Sequence, residues 1–286
     1  MTIAFLIPQD SYESEHIKKE LSTLGKENIS ILKWDSVVHP ITEFPEVLWV
    51  RFSPKYPIIF QMATIEEFES KGTRVVNSKG AIETCDKMST FLFWKRHLQE
   101  YIHMPNTIVT RNIEEAYKFT QKGECIFKPI SLGLGQGIQR VVNNPKLKET
   151  LQSLLDEYGL LFLQEYIPNL GFDIRAIVIE RQNIIEYTRQ NPQDFRYNIH
   201  LGGIIKAVSI IKLLQPVLLE KLRHIARIIA QKTQLDMVGI DFLVSEKGEL
   251  VLLEWNAFFN FQGAENALQV NIAKKIAEFL CKLDSS

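Results

Sequence analysis

Three glycines at alternate positions, Gly133, Gly135 and Gly137, follow a lysine in the stretch CIFKPISLGLGQGIQRVV. Glycine lets a backbone approach a phosphate closely and present its N–H groups to it, and Lys128 could reach the same phosphates. The spacing is neither the GxxxxGK[ST] of a P-loop nor the GxGxxG of a dinucleotide fold, and the residues that follow favour a strand. The pattern is therefore strand, glycine loop, strand. It suits a phosphate-binding lid, and equally a flexible hairpin beside a solvated lysine.

A second group of polar residues lies in VGIDFLVSEKGELVLLEWNAF, near the C-terminus. Two apolar runs flank EKGE, which predicts a hairpin with Lys247 and Gly248 as its two turn residues. Counting outward from that turn places Asp241 opposite Glu254. Asn256 shares their face, because side chains on one face of a strand recur every two residues.

Two carboxylates opposite each other repel, and burial in apolar strands raises that cost. A divalent cation removes both problems, and oxygen ligands with a shared phosphate suit Mg²⁺. The alternative is a different register in which the acids face solvent. Taken with the glycine loop, the hairpin predicts a magnesium-bound nucleotide and phosphoryl transfer.

Length and composition limit the class of protein. The chain has 286 residues, a net charge of −1 and three cysteines. The length suits two or three packed units, and the charge provides no field for nucleic acid or an anionic membrane. The widely spaced cysteines, Cys85, Cys125 and Cys281, support neither a zinc site nor a disulfide framework, so we expect a reducing, cytoplasmic location. The apolar start reads as a first strand rather than a signal peptide, and no apolar run is long enough to span a bilayer.

The elements that must position these residues fall into three regions. Strand and helix signals alternate over residues 1–83, which predicts a parallel α/β sheet. Residues 84–163 contain two helical stretches, an extended segment and the glycine loop. Residues 164–286 contain strands, a long helix over about 216–233, the hairpin and a closing helix.

These motifs, in this order, resemble the ATP-grasp carboxylate–amine ligases, specifically the RimK-like α-L-glutamate ligases. The similar strings are VVNSKGAIETCDKMST, FKPISLGLGQGI, LQEYIP, DIRAIVI, RQNPQDFRYNIHLGG, GIDFL and LEWNA. The resemblance covers nearly the whole chain. It implies an α+β ATP-grasp fold, in which a parallel α/β pre-ATP-grasp domain (1–83) precedes two lobes with the nucleotide between them. The small lobe (84–163) would carry the lid, and the C-terminal lobe (164–286) the magnesium and substrate sites.

The resemblance also implies roles for individual residues. The implied nucleotide-binding residues are Lys87, Lys128, Gly133, Gly135, Gly137, Glu165, Ile167 and Asp173. The first two would hold phosphates, and Glu165 and Ile167 would bind adenine through their backbone groups. The implied metal ligands are Asp241, Glu254 and Asn256. The implied catalytic residues are Arg175, Arg189 and Arg196, and the implied substrate residues are Arg189, Arg196, Asn198 and Gly202.

The chemistry implied by the resemblance is amide formation driven by ATP. A substrate carboxylate would take the γ-phosphate to form an acyl phosphate, which the amine of L-glutamate or a similar amino acid would attack. Arg175 would stabilise the transferring phosphoryl group, although a strand ion pair is its alternative role. Arg189 and Arg196 would bind substrate carboxylates, because a guanidinium fits them bidentately, or form structural ion pairs. ATP with Mg²⁺, as two ions, would be the cofactors, with Mn²⁺ as a substitute. The acceptor would be a peptide or protein C-terminus or a glutamate-tailed small molecule, and the protein a dimer or tetramer.

Three departures from the family pattern bear on specificity and turnover. Leu132-Gly133 replaces the usual Gly-Ser or Gly-Thr, NAFFNFQG replaces an NASPG-like segment, and Leu201 replaces an arginine. The first two motivate an alternative, a nucleotide-binding regulatory or scaffold protein without turnover. A dehydrogenase built on the N-terminal region lacks the GxGxxG fingerprint, and no HExxH spacing supports a zinc hydrolase.

Overall fold

The computed structural model describes residues 2–130, 136–207 and 215–283, apart from the side chain of His200. The strands are β1 (Ile3–Ile7), β2 (Ile29–Lys33), β3 (Val47–Val50), β4 (Arg74–Val76), β5 (Thr107–Thr110), β6 (Cys125–Phe127), β7 (Gln139–Val141), β8 (Leu161–Glu165), β9 (Asn169–Ile179), β10 (Asn183–Gln190), β11 (Ile204–Ala207), β12 (Met237–Ser245) and β13 (Leu250–Asn256). The α-helices are α1 (Tyr12–Thr23), α2 (Ile58–Ser70), α3 (Lys79–Ile82), α4 (Lys87–His97), α5 (Ile113–Thr120), α6 (Leu147–Tyr158), α7 (Pro216–Thr233), α8 (Gln262–Leu268) and α9 (Ile272–Lys282).

The first sheet is parallel, in the order β2-β1-β3-β4, which confirms the predicted α/β start of the chain. Its central strand β1 is buried on both faces, as parallel strands covered by helices are. Phe5 belongs to the apolar cluster that includes α1 and α9, whereas Leu6 belongs to the cluster that includes α2. The C-terminal helix therefore covers the N-terminal sheet.

The second sheet is antiparallel, in the order β5-β8-β6-β7. Helices α5 and α6 cover it, and their apolar residues form one cluster with its strands. Strands β6 and β7 pair with each other on either side of the glycine loop, so the predicted order of strand, loop and strand is confirmed. Residues 131–135 of that loop, with Gly133 and Gly135, lie outside the described residues.

The third sheet is antiparallel, in the order β11-β10-β9-β12-β13. The two faces of β9 differ in chemistry because its side chains alternate. Ile174 and Ala176 belong to the cluster that includes the buried face of α7. Asp173 and Arg175 point the other way, toward the second sheet. Charged residues therefore project from the centre of a buried sheet.

The C-terminal hairpin has the predicted Asp241–Glu254 pair but not the predicted turn. Ser245 N–H donates to the Glu249 carbonyl, and Gly248 N–H donates to the Ser245 carbonyl. The loop thus has three residues, with Gly248 in the left-handed conformation at φ 81°, as such loops prefer. This loop shifts the register by one residue, and a β-bulge beside Asp241 restores it. The pair was predicted correctly although the predicted turn was wrong, because the shift from the three-residue loop and the shift from the bulge cancel.

Within the described parts of the chain, no helix combines the length and apolar character needed to cross a membrane. The longest, α7, has 18 residues and carries charged side chains along its exposed face.

Candidate active site

Four strands of the third sheet bring charged residues into adjacent positions. Arg175 on β9 lies directly opposite Asp241 on β12, which in turn lies opposite Glu254 on β13. Asp173 lies opposite Arg189 of β10. Because paired residues point to the same face, all five side chains lie on the surface that faces the second sheet.

Two of these pairs are buried ion pairs. Arg175 donates to both oxygens of Asp241, each at 2.7 Å. Arg189 donates through Nε to Asp173 at 2.8 Å, and its Nη2 also lies 3.0 Å from Asp241. Asp173, Arg189 and Asp241 are each at most 4% exposed. Burial opposes ionisation of Asp241, but Arg175 and Arg189 outweigh it and hold its pKa at about 2.

This pairing gives Arg189 the second of its two expected roles, a structural ion pair. Its guanidinium binds two carboxylates of the protein, Asp173 and Asp241, and a contact with a substrate carboxylate stays a prediction. Arg175 likewise forms a strand ion pair, the alternative role considered for it, although its partner is Asp241. Arg175 lines the larger of two cavities at this site, and Arg189, although only 3% exposed, lines both of them.

The proposed metal ligands satisfy the donor chemistry of Mg²⁺. Glu254 and Asn256 are half-buried on one face of β13, and Asn256 Nδ2 lies 3.4 Å from Glu254 Oε1. A carboxylate has about four lone-pair positions, of which the two arginines occupy three on Asp241. The fourth position would be open to a cation that Glu254 and Asn256 also bind. Two carboxylates and an amide oxygen suit a hard divalent ion.

Two lysines face these acids from other elements. Lys87 begins α4 directly after its N-cap, Asp86, whose carboxylate accepts from the Met88 and Ser89 N–H groups at 3.0 Å. Lys128 follows β6 and is 9% exposed. Burial lowers the pKa of both lysines, and the nearby Glu254 carboxylate opposes the shift in each. Both lysines and Glu254 line one small cavity, so two cations converge on the carboxylate row.

An apolar slot of about 110 Å³ lies between the second and third sheets, next to Lys128. Its apolar lining includes Ile126, Ile138, Ile167, Leu243 and Leu253. Leu253 is the additional residue of the β-bulge in the hairpin, because Asp241 pairs with Glu254 and Phe242 pairs with Leu252. A bulge beside a site typically redirects a side chain, and here it supplies part of the slot.

The edge of this slot presents one acceptor and one donor. The Glu165 N–H already donates to the Asn106 carbonyl at 2.8 Å, so the backbone group of Glu165 that can bind a ligand is its carbonyl. The Ile167 carbonyl accepts from Asn169 Nδ2 at 3.0 Å, which leaves its N–H for the same purpose. An alternating acceptor and donor is complementary to the amino group and ring nitrogen of adenine.

Of the remaining predicted residues that the structure describes, Arg196 and Asn198 line a cavity, whereas Gly202 and Gly137 are not in the lining of either of the two cavities. Arg196 lines the slot and binds Asp194 through Nη2 at 2.6 Å, which again is an ion pair within the protein. Asn198 lines both the slot and a larger cavity beside it. Gly202 ends a short 3-10 turn at φ 92°, and Gly137 precedes β7 at φ 67°.

The larger cavity contains residues that the sequence motifs did not identify. Tyr12, Glu13, Phe258 and Gln262 line it together with Lys87, Arg175 and Glu254. The departure of NAFFNFQG from the family pattern was the only signal for the segment that contains Phe258. Nothing in the sequence pointed to the start of α1.

Comparison with known proteins places this geometry in a family. A family model described as the RimK-like ATP-grasp domain matches residues 84–280. The chain belongs to the RimK-like ATP-grasp family. That match contains every residue of the charged row and both lysines, and it confirms the resemblance seen in the motifs.

Curated relatives in this family include "Probable alpha-L-glutamate ligase" of Coxiella burnetii, 29% identical over 228 residues that cover 77% of this chain and 71% of that one. The protein of the same name from Aeromonas salmonicida is 28% identical over 226 residues, covering 76% and 71%.

Solved structures show the same ATP-grasp fold over nearly the whole chain. The ATP-grasp ligase PsnB complexed with minimal precursor has a TM-score of 0.76 at 19% identity, covering 99% of this chain and 98% of that one. The macrocyclase MdnC bound with precursor peptide MdnA, from Microcystis aeruginosa, has a TM-score of 0.71 at 15% identity, covering 99% and 100%. These likenesses extend to the N-terminal region that the family model leaves out.

Proposed function

We propose that this protein is an ATP-dependent carboxylate–amine ligase that forms an amide bond and releases ADP. The observation that carries the proposal is the row Arg175–Asp241–Glu254, which two lysines face and which lies beside an adenine-sized slot. Its members provide oxygen ligands for a cation and positive charge for phosphates. The names of the curated relatives favour L-glutamate as the added amino acid.

The chain's own residues would hold the nucleotide. The apolar slot would take adenine between Ile126 and Leu253, with the Glu165 carbonyl and the Ile167 N–H at its polar edge. Lys87 and Lys128 would bind the α- and β-phosphates. Mg²⁺ held by Asp241, Glu254 and Asn256 would neutralise phosphate charge and orient the γ-phosphate.

The reaction would proceed in two displacements. A carboxylate oxygen of the acceptor attacks the γ-phosphorus, and the bond from that phosphorus to the β-phosphate oxygen breaks. The products of this first displacement are ADP and an acyl phosphate. The amine of the amino acid then attacks the acyl carbon, phosphate leaves with the bonding electron pair, and the amine proton passes to solvent. Arg175, at the wall of the larger cavity, is positioned to stabilise the charge on the transferring phosphoryl group. Positioning and charge neutralisation supply most of such catalysis.

A peptide carboxylate is the acceptor class that the structural neighbours favour. PsnB and MdnC are each described in complex with a precursor or precursor peptide, and both share the fold of this chain. A glutamate-tailed small molecule is the other class of acceptor.

One observation favours a second candidate, a nucleotide-binding protein without turnover. Both oxygens of Asp241 are bound by Arg175, and one of them lies near Arg189 as well. A site locked in this state would bind nucleotide but would not complete its cation ligands.

A screen for ADP release separates the two candidates. The protein receives Mg-ATP, one amino acid per well and a pool of peptide and small-molecule carboxylates, and mass spectrometry identifies the product. We expect ADP together with a product heavier by one glutamyl residue. Tight ATP binding without ADP in any well would favour the binding protein and contradict the ligase.

A further inference from the structure

The larger cavity, of about 740 Å³, extends from the phosphate site to the N-terminal region. At one end it is lined by Lys87, Arg175 and Glu254, and it shares Glu254, Asn198 and Ile138 with the nucleotide slot. At the other end it is lined by the start of α1 and by residues 258–264. A substrate that reaches the γ-phosphate would therefore extend along the surface between these two parts of the chain.

Two charged residues of the N-terminal region hold the segment that follows Asn256. Arg51 donates to the Phe259 carbonyl at 3.0 Å and to Asn260 Oδ1 at 2.6 Å. Glu13, which is 5% exposed, accepts from the Phe261 N–H at 3.1 Å. These bonds hold the chain from the Phe259 carbonyl to the Phe261 N–H, directly after Phe258, and so restrict the position of the Phe258 ring.

Phe258 forms an apolar wall of the cavity. Its ring lies 4.6 Å from the ring of Phe52, at an interplanar angle of 31°, which holds it against the N-terminal region. The ring is half-buried and lines the cavity, as do Ile199 and Ile205. Ile199 is 40% exposed, so apolar surface is presented to whatever occupies this part.

The charges of the lining are unevenly distributed. Within the described residues, the cations that line this cavity are Lys87, Arg175 and Arg189, all of them at the phosphate end. The part near Phe258 has Glu13 instead, together with neutral amides. Among the described residues, the nearest cation to this part is Arg51, which lies behind the lining and is bound to the Phe259 carbonyl and to Asn260. A tail with several carboxylates would therefore gain little there, whereas an apolar group would bury its surface against the ring.

We propose that Phe258 determines acceptor specificity, selecting a carboxylate that is carried next to an aromatic or large apolar group. This rests on the proposed ligase function, because it assigns the occupant of the cavity beside the phosphate site. The acceptor carboxylate lies toward Lys87 and Arg175, and its apolar neighbour packs on Phe258. Arg51 and Glu13 act as positioning residues for this wall.

The test uses two probe acceptors, N-acetyl-Ala-Phe and N-acetyl-Glu-Glu, with calorimetric binding to the full chain in the presence and absence of Mg-ADP. We expect N-acetyl-Ala-Phe to bind the unchanged protein about tenfold more tightly, as apolar pockets discriminate. Phe258→Ala should reduce that preference to about twofold or less, and Phe258→Leu should retain part of it. The matched control is Phe44→Ala, which removes a half-buried ring that packs on Phe68 in the same region and does not line the cavity.

The affinity for Mg-ADP, measured separately, distinguishes failure of this proposal from failure of the ligase assignment. Equal binding of the two probes, tighter binding of N-acetyl-Glu-Glu, or binding of neither probe to a protein that binds Mg-ADP would overturn the role of Phe258. An unchanged preference in Phe258→Ala would also overturn it. Absence of Mg-ADP binding by the unchanged protein would instead refute the nucleotide site.

Discussion

Arg189 shows that residue type and spacing alone do not determine what an arginine binds. A guanidinium near a substrate loop suits a substrate carboxylate, yet Arg189 is 3% exposed and bound to Asp173 and Asp241. Its contribution is to compensate two buried negative charges in the floor of the site. Asp241 stays ionised because of the guanidiniums beside it, and an ionised carboxylate is what a cation requires.

Removal of Arg189 should therefore destabilise the fold. Arg189→Met leaves Asp173 buried without its partner, which costs about 3–5 kcal/mol. The difference in the free energy of unfolding between Arg189→Met and the unchanged protein should decrease as the pH falls. An unpaired buried Asp173 has a folded pKa above its unfolded value, so protonation favours the folded state. Denaturant unfolding at several pH values measures both effects.

The matched control is Arg196→Met, which removes a more exposed ion pair with Asp194. We expect a change of about 0–1 kcal/mol for it. Equal losses in the two variants would contradict the structural role of Arg189.

Glu254 lines one small cavity together with both lysines and opposes the lowering of the pKa of each, so its charge should matter to turnover and little to folding. Glu254→Gln keeps the size of the side chain and removes one ligand charge, and we expect the rate of ADP formation to fall by about a hundredfold or more. Glu249→Gln, at an exposed position of the same hairpin, should leave the rate unchanged. Unchanged turnover in Glu254→Gln would refute its assignment as a metal ligand.

At the scale of elements, one carboxylate connects three helices. Glu265 of α8 accepts from the Ile272 and Ala273 N–H groups at the start of α9, at 2.6 and 2.8 Å. Its other oxygen accepts from the Tyr12 hydroxyl of α1 at 2.8 Å. Helix N-termini leave N–H groups unpaired, and a negative charge there also favours the helix dipole. The start of α1, which lines the larger cavity, is thus tied to the C-terminal helices.

Loss of this carboxylate should loosen the contact between α1 and α9. Glu265→Ala leaves buried N–H groups without an acceptor, and we expect a loss of about 1–3 kcal/mol in the free energy of unfolding. Lys275→Ala, on the exposed side of α9, should change it by less than about 0.5 kcal/mol. Thermal and denaturant unfolding of both variants measure the difference, and similar values for the two would contradict the capping role.

At the scale of the molecule, the N-terminal region and the rest of the chain share their cores. One apolar cluster joins Leu6 and Phe68 to Ile225 and Trp255, and a second joins Phe5 to α9. The predicted boundaries at residues 83 and 163 remain predictions, and the first cluster contains residues of all three predicted regions. The N-terminal region also provides Glu13 to the lining of the larger cavity, and its Arg51 and Phe52 contact lining residues from behind.

A chain shortened to residues 84–286 should not fold stably, although the family model matches 84–280. It would expose the buried faces of α9 and of the third sheet to water, and large exposed apolar surfaces lead to aggregation. Solubility, far-UV circular dichroism and dye binding, compared with the full chain, test this. A soluble fragment with a cooperative unfolding transition would contradict the shared cores.

The sequence by itself determined the elements with strong local signals and the chemistry of the motifs. Alternation of strands and helices predicted the parallel sheet, and counting outward from the predicted turn placed Asp241 opposite Glu254. That pair was correct although the turn was wrong, because a bulge cancelled the one-residue shift of the loop. Strand β2 and helix α6 were missed.

Only the tertiary structure decided which charges pair and which surfaces meet. Arg189 and Asp173 come together through strand register, and Glu13 and Arg51 reach the Phe259–Phe261 backbone from more than two hundred residues away in the sequence. Local patterns record the periodicity of single elements. Ion pairing and the walls of cavities depend instead on how separate elements pack. Burial and distance determine which of several opposite charges a group pairs with.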